Sequence, residues 1–456
     1  MLAMTSSFIT PFMGSSINIA LPDIAREFSM NAVLLSWVPT SYLLAAAAFL
    51  VPFGRIADIH GRKKIFLYGM WIFTIGTVMC ALATSSWFLI GSRIVQGIGG
   101  AMVFGTSIAL LTSVYPLKER GKVLGLTVSI TYLGLSVGPF LGGLLTGAFG
   151  WRSLFVFVLP ISAAVVCVGH LKFKGEWADS RGEAFDLVGS TVYAISLTGV
   201  IFGFSLLPGM SGVLVSLAGV AGICVFIAWE LRQSYPVLDI KLFRHNRPFA
   251  FSSVAALINY CATFAVTFLV SLYLQYVKEL SVQEAGLILV AQPVVMAAFS
   301  PLAGRLSDVV EPRIIASIGM AISAIGLALL ALMVEGTAIW TIVASLAILG
   351  FGFGLFSSPN MNAIMSSVEK RYYGVASATV GTMRLIGQVL SLGIATLFIA
   401  LYVGSADLSH ALAPEFLHSY KYAFTLFAAM CVVGVFASMA RGNVRGDDSG
   451  DQRRLT

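Results

Sequence analysis

The sequence predicts an all-α polytopic membrane protein: fourteen transmembrane helices, as two pseudo-symmetric six-helix bundles with two extra helices between them in sequence. Three observations lead there. The 456 residues are 58% hydrophobic and only 11% charged, where a soluble domain carries about 25% charged residues. The apolar residues fall into runs of about 20, the length of helix that crosses a bilayer. The polar stretch Gly54-Arg55-Ile56-Ala57-Asp58 follows the second run. It returns as Gly304-Arg305-Leu306-Ser307-Asp308 after the second run of the other half, with Pro312 and Arg313 beyond it.

Helices are the economical choice, because isolated strands leave backbone groups unpaired in lipid. The first span, 3–22, has no basic residue before it and reads as a retained helix rather than a cleaved signal. Its short front leaves room for residues upstream. Spans 33–53 and 65–84 flank a charged loop ending in Gly61-Arg62-Lys63-Lys64. Span 87–114 holds Arg93, span 122–148 is rich in glycine, and 153–171 completes the first six. A charged segment, 172–186, leads into the two extra spans, 186–207 and 212–231. A polar segment, 232–247, leads into 248–276, 283–303, 313–334, 337–358, 373–403 and 421–440. The implied domains are 1–171, 172–247, 248–440 and a tail, 441–456, rich in Gly, Asp and Arg, which reads as disordered.

Loop charge sets the orientation. With both termini in the cytoplasm, most of the 28 Lys and Arg collect on that side, including Arg55, Arg62, Lys63, Lys64, Arg305 and Arg441. The outer side keeps Arg26, Arg152, Lys278 and Lys421. This is the positive-inside pattern of a multi-pass protein of the inner, cytoplasmic membrane. The net charge of +7 therefore reads as topology and not as a nucleic-acid surface. Five cysteines scattered through apolar runs suggest neither a disulfide framework nor a metal site.

Four stretches carry more than topology. The repeated Gly54–Asp58 loop resembles the signature between helices 2 and 3 of the major facilitator superfamily. That resemblance makes Gly54, Arg55, Asp58, Gly61 and Arg62 a gating loop. The glycines would allow tight turns, and Asp58 would act as a latch across the two halves. Arg93-Ile94-Val95-Gln96 lies two turns inside span 4, where a buried arginine is costly and therefore suspect. It resembles the family's coupling motif, with Gly105 where a proline is common. Span 5 reads Gly125, Gly134, Gly138-Pro139, Gly142-Gly143. That spacing resembles the antiporter motif of superfamily exporters: glycines form a smooth helix face and Pro139 bends the span. Arg384-Leu385-Ile386-Gly387-Gln388 places an arginine about 16 Å into span 13, at 1.5 Å per residue. Six, two and six spans, with Trp151-Arg152, Phe185-Asp186 and Pro236-Val237-Leu238, resemble the 14-span drug/proton antiporter branch.

The resemblance implies a proton-coupled exporter of small amphipathic compounds that works by alternating access. It implies no cofactor beyond the proton gradient. Its partners would be the substrate and the lipid bilayer, with a monomer favoured and no nucleic acid. A carrier of a neutral or anionic metabolite is the alternative. Cavity candidates are Asn18, Trp37, Tyr42, Arg93, Gln292, Asn360, Arg384 and Gln388. Coupling candidates are Arg93, Gln96, Asp58 and Glu284. Two positions depart from the branch: Met13 replaces its usual span-1 aspartate, and Val158 replaces a polar residue before Pro160. All 21 Asp and Glu lie in loops, tails or near span ends, and the two deepest charges, Arg93 and Arg384, are positive. The cavity is therefore expected to favour neutral or anionic amphiphiles. No nucleotide-binding Gly-x4-Gly-Lys loop is present, which argues against direct ATP use, and the chain has no mid-span Lys, Glu or His series or paired His ligands that would suggest a membrane enzyme.

Overall fold

The computed structural model describes residues 2–114, 117–172, 175–178, 180–238, 240–307, 309–368, 373–404 and 413–442. All regular structure among them is helical: α1 Leu2–Phe28, α2 Ala32–His60, α3 Arg62–Ala81, α4 Ser86–Val114, α5 Leu117–Phe149, α6 Arg152–Lys172, α7 Leu187–Ser205, α8 Met210–Glu230, α9 Ile240–His245, α10 Arg247–Thr263, α11 Ala265–Leu272, a π turn Tyr273–Val277, α12 Val282–Leu289, α13 Ala291–Ser307, α14 Pro312–Ala331, α15 Ile339–Ser366, α16 Tyr373–Tyr402 and α17 Ala413–Ala440.

Among the described residues, 12 helical stretches are long and apolar enough to cross a membrane. Helix α1 is long but falls outside that set, and α5 contributes the shorter apolar stretch Leu133–Phe149. The reason for α1 is position. Ser6, Ser7, Thr10, Ser15, Ser16 and Asn18 are all buried, as is most of the helix. A helix enclosed by other helices needs no apolar surface for lipid. The contrast is α8, which exposes Leu214, Leu217 and Val225 and buries only Gly212, Gly219, Phe226 and Glu230.

The C-terminal set of helices repeats the neighbours of the N-terminal set. Helices α3 and α4, α2 and α4, α1 and α5, and α3 and α6 pack together. So do α14 and α15, α13 and α15, α10 and α16, and α14 and α17. Across the sets, α2 packs on α16, and α5 packs on α12 and α13. The hairpin α7–α8 lies outside, with α7 against both α2 and α16. Its two helices approach closely through glycine: a Cβ on Gly203 would stand 2.9 Å from Gly212 O, and one on Gly219 would stand 2.8 Å from Ser196 O. Tyr193 Oη donates to Ala47 O at 3.0 Å, fastening α7 to α2.

Three expected spans change shape. The first is longer than 3–22 and carries Pro11 and Pro22 inside the helix. The span expected at 248–276 is α10 and α11 followed by the π turn, and 283–303 is divided into α12 and α13. The charged loop at 54–64 is almost wholly helix. Helix α2 runs to His60 and α3 starts at Arg62, leaving Gly61 alone between them. Its φ of +118° is a conformation that side chains rarely adopt.

Candidate functional site

The α2–α3 turn is held from outside. The segment after α6 folds back onto it. Glu176 accepts the Lys63 N–H at 2.9 Å, and Trp177 O accepts the Arg62 N–H at 2.8 Å. Glu176 thus supplies an anion at the start of α3, where the helix dipole favours one. Ser180 N–H donates to Asp58 O at 3.0 Å. Arg55 donates to Ser180 Oγ at 3.2 Å and pairs with Glu183.

Among the described residues, the Asp58 carboxylate takes the Arg62 Nε–H at 2.8 Å, one helical turn away, and has no ion-pair partner in the other half. One expectation is corrected. Gly54 is not a turn residue. It lies inside α2, where Gly105 of α4 comes close: a Cβ on Gly105 would be 3.5 Å from Gly54 Cα. Asp308, the second copy's counterpart of Asp58, lies outside the described residues.

Arg93 is fully enclosed, at 0% exposure. Its Nε donates to Val38 O at 3.1 Å and one terminal nitrogen to Gln96 Oε1 at 2.5 Å. The guanidinium stands 4.4 Å from the centre of the Tyr42 ring. Gln96 passes the network on, donating to Thr77 Oγ1 at 2.8 Å. Helices α2, α3 and α4 therefore wall the arginine in. Gly97, Gly99 and Gly100 let them close around it; a Cβ on Gly100 would meet Tyr42 Oη at 2.9 Å. Neither Arg93 nor Tyr42 opens onto a cavity here, so both leave the list of cavity-lining residues in this conformation.

Arg384 differs. It is partly exposed and lies over the Phe104 ring of α4 at 5.3 Å, a contact between the N- and C-terminal sets. Gln388, one turn on, is also partly exposed. Among the described residues neither Arg93 nor Arg384 has a carboxylate within ion-pair distance; the pairs present are Arg26–Asp23, Arg55–Glu183, Arg62–Asp58 and Arg152–Glu27.

The glycines of α5 present two faces. A Cβ on Gly134 would stand 2.6 Å from Phe8 O, and one on Gly142 would stand 3.0 Å from Ser16 Cβ. Gly138 lies between them against Ser15. This face seats α1. The other face meets α12. A Cβ on Gly143 would be 3.0 Å from Val282 O, and one on Gly286 would be 2.6 Å from Pro139 O. Gly125 lies in α5, with surroundings outside the described residues. Nearby, α1 meets α11 and the π turn: Ser271 Oγ donates to Asn18 O at 3.0 Å and Gln275 to Ile19 O at 3.2 Å. These contacts close one end of the interface between the sets. Asn18 is a buried part of that closure.

Other candidates are placed differently from expectation. Glu284 is a helix cap: with Ser281 it forms a reciprocal capping box at the start of α12, and it is exposed. Trp37 turns to the extra hairpin, 5.9 Å from Phe202. Gln292 is partly exposed and its backbone seats Gly350 of α15. Asn360 belongs to a network that sequence reading missed. Its amide donates to Ser252 O at 3.1 Å and its oxygen accepts from Arg441 at 3.1 Å. Arg441, expected as the start of a tail, has 0% exposure. It also donates to Ser252 Oγ at 3.2 Å and Ser438 O at 2.9 Å, and it pairs with Ser438 Oγ. Burial pulls its pKa down to about 10, against the pull of Glu311 and with the push of Arg313. Met13 and Val158, the two apolar departures, are buried in the main core. Glu27, by contrast, is tied to Trp151 Nε1 at 2.7 Å and to Arg152 at 2.6 and 2.8 Å.

With that geometry in place, comparison with known proteins identifies the chain. The model of the major facilitator superfamily matches residues 3–236 and 252–453. The chain belongs to that superfamily. It is a transporter and not an enzyme. It is 28% identical over 437 residues to the riboflavin transporter RibZ of Clostridioides difficile, covering 95% of this chain and 94% of that one. It is 29% identical over 384 residues to the multidrug resistance protein Stp of Mycobacterium tuberculosis, covering 83% and 71%. In fold it resembles an inward-facing bacterial homologue of the human lysosomal transporter Spinster, at TM-score 0.68 and 18% identity, covering 96% of each chain.

Proposed function

We propose that the protein is a proton-driven exporter of small amphipathic compounds, built as six, two and six membrane spans. The boundaries are 1–171, 172–247 and 248–440, with 441–456 as a tail beginning at a buried arginine. Both termini, and the end bearing the α2–α3 turn, face the cytoplasm of a bacterial-type inner membrane. The carrying observation is the two-faced α5. Its Gly134, Gly138 and Gly142 seat α1 within one set, while Pro139 and Gly143 touch α12 of the other. A helix smooth on both faces can slide against α12 while α1 stays seated, and access can alternate without a leak. A multidrug relative and several coinciding family motifs support the exporter reading. No cofactor beyond the proton gradient is invoked, and the working unit is a monomer in lipid.

A second reading is favoured by a specific observation: the riboflavin transporter relative aligns along nearly the whole chain. A neutral or anionic metabolite fits an interface at which the partly exposed Arg384 is a reachable charge among the described residues. Purified protein in liposomes separates the two. With an imposed pH gradient and matched cationic, neutral and anionic amphiphiles, export coupled to proton entry is expected. Substrate movement indifferent to the gradient would establish the facilitated carrier instead.

A further inference from the structure

We propose that Glu230 is a proton-binding group of this transporter, placed where the extra hairpin meets the α2–α3 turn. Among the described residues it is the only carboxylate that is buried, at 1% exposure. Its Oε2 accepts the Leu238 N–H at 3.2 Å. Its Oε1 is buried with no hydrogen-bond partner among the described residues.

The backbone of Val237 and Leu238 serves the carboxyl group from one side only, and the neighbourhood on the other side explains why Oε1 goes without a donor. A Cβ on Gly189 would stand 2.7 Å from Glu230 Oε1 and would also press on Asp186 Oδ2, so the two carboxyl groups share one small space. Asp186 has taken the donors there: the Gly189 N–H at 2.8 Å and the Trp229 indole N–H at 2.8 Å. Among the described residues, the charged groups that reach Glu230 are Asp186 on the α7 side and Arg55 on α2. Arg55 is committed to Glu183 and Ser180. Other acids have stronger partners: Glu27 has Arg152, Asp58 has Arg62, Asp23 has Arg26 and Glu284 has its capping box.

A charged carboxylate oxygen removed from water without a donor carries an uncompensated desolvation cost. Binding a proton from the adjoining aqueous phase converts the carboxylate to a neutral acid and consumes nothing else. The resulting O–H is a donor in a space that holds the acceptor Asp186. The event is connected to gating by the chain itself. Asp186, Glu183, Ser180 and Glu176 follow one another back along the segment that grips the turn. Loss of the Glu230 charge changes the field on the Arg55–Glu183 pair, and through it the hold on Asp58 and α3.

The assignment rests on the exporter reading only for its link to transport. The decisive measurement is the infrared carboxyl stretch of purified protein in lipid at neutral pH, where exposed carboxylates are ionised. A protonated-carboxyl band is expected in the wild type and absent in Glu230→Gln. In Glu230→Asp the band is expected at a shifted frequency, which keeps the test open if the first variant fails to fold. Identical bands in wild type and Glu230→Gln, or an unshifted band in Glu230→Asp, overturn the assignment. In liposomes the dependence of transport rate on pH is expected to flatten in Glu230→Gln. A lost infrared band in a protein that moves substrate without protons supports Glu230 and overturns proton drive. An unchanged band with proton-driven transport intact does the reverse.

Discussion

Arg93 and Arg384 are the two arginines that the sequence sets deep in the membrane, and the structure treats them in opposite ways. Arg93 is sealed between α2, α3 and α4, with a carbonyl, an amide and an aromatic ring as partners. Arg384 lies at the interface between the two sets, over Phe104 and partly exposed. Depth in the sequence does not set access. Arg93 is positioned to hold three helices of one set in register and to respond to their rearrangement. Arg384 is positioned to meet whatever enters between the sets. The substitutions that follow break or sharpen that contrast.

The largest effect is expected from Gly138→Leu, which tests whether the interface matters more than either arginine. A side chain there collides with Ser15 of α1, and α1 also closes the interface at Asn18. Overpacking costs about 1–3 kcal/mol, and the displaced helix lies beside the transport route. Transport is expected to disappear while most of the protein still inserts. Membrane yield and liposome uptake, measured on the same preparation, check this; normal transport reduces the glycines to simple packing.

Arg93→Lys comes next. Lysine keeps the charge but not the planar fork that serves Val38, Gln96 and the Tyr42 face together. Losing one buried charge-assisted hydrogen bond costs about 1.5–3 kcal/mol. Transport is expected to fall at least about tenfold, for substrates of every charge alike. A change in substrate preference instead would mean that Arg93 reaches the cavity after all.

Arg441→Met separates a structural arginine from the two deep ones. It removes four contacts that join α10, α15 and α17 at one end of the C-terminal set, and it leaves Asn360 and Ser252 short of a donor. A loss of about 3 kcal/mol is expected, the scale of a broken buried network, seen as a lower melting temperature in detergent. The transport rate per folded molecule should stay near the wild-type value. Asp58→Asn is the converse. Its ion pair with Arg62 is partly exposed and contributes about 0–1 kcal/mol, so the melting temperature should hold while transport falls a few-fold.

These residues also show what a sequence can reveal. The α5 glycines were legible because a helix face is a one-dimensional pattern, and their spacing survives in the chain. The depth of Arg93 and Arg384 was legible by counting residues. Their different access was not, since it depends on which helices stand alongside. Arg441 was hidden by its position, because a cation at the end of the last span looks like solvated tail. The grip of Glu176 and Glu183 on the α2–α3 turn joins segments far apart in sequence, and no local pattern reports it. The Ser281–Glu284 capping box is legible in the chain as Ser-x-x-Glu, a local pattern that accounts for Glu284 without depth in the membrane.

Arg384→Gln is expected to have the smallest effect on rate and the most informative one on selectivity. A cation entering beside Arg384 meets positive charge, and no described residue offers the arginine an ion-pair partner. The usual span-1 aspartate is Met13, buried at 0% exposure. Two charges 4 Å apart interact by about 4 kcal/mol at an effective dielectric near 20. A third of that is about a tenfold change in affinity. Neutral and anionic amphiphiles avoid the penalty, and an anion gains from it. In competition assays with matched compounds of opposite charge, wild type should prefer the anion, and Arg384→Gln should shift the ratio about tenfold toward the cation. The Phe104 contact provides an internal control. Phe104→Leu removes the ring that seats the guanidinium but keeps the charge, so it should alter affinity for all substrates while the anion-to-cation ratio holds. If Phe104→Leu moves the ratio as far as Arg384→Gln does, selectivity lies in the shape of the interface and not in the charge.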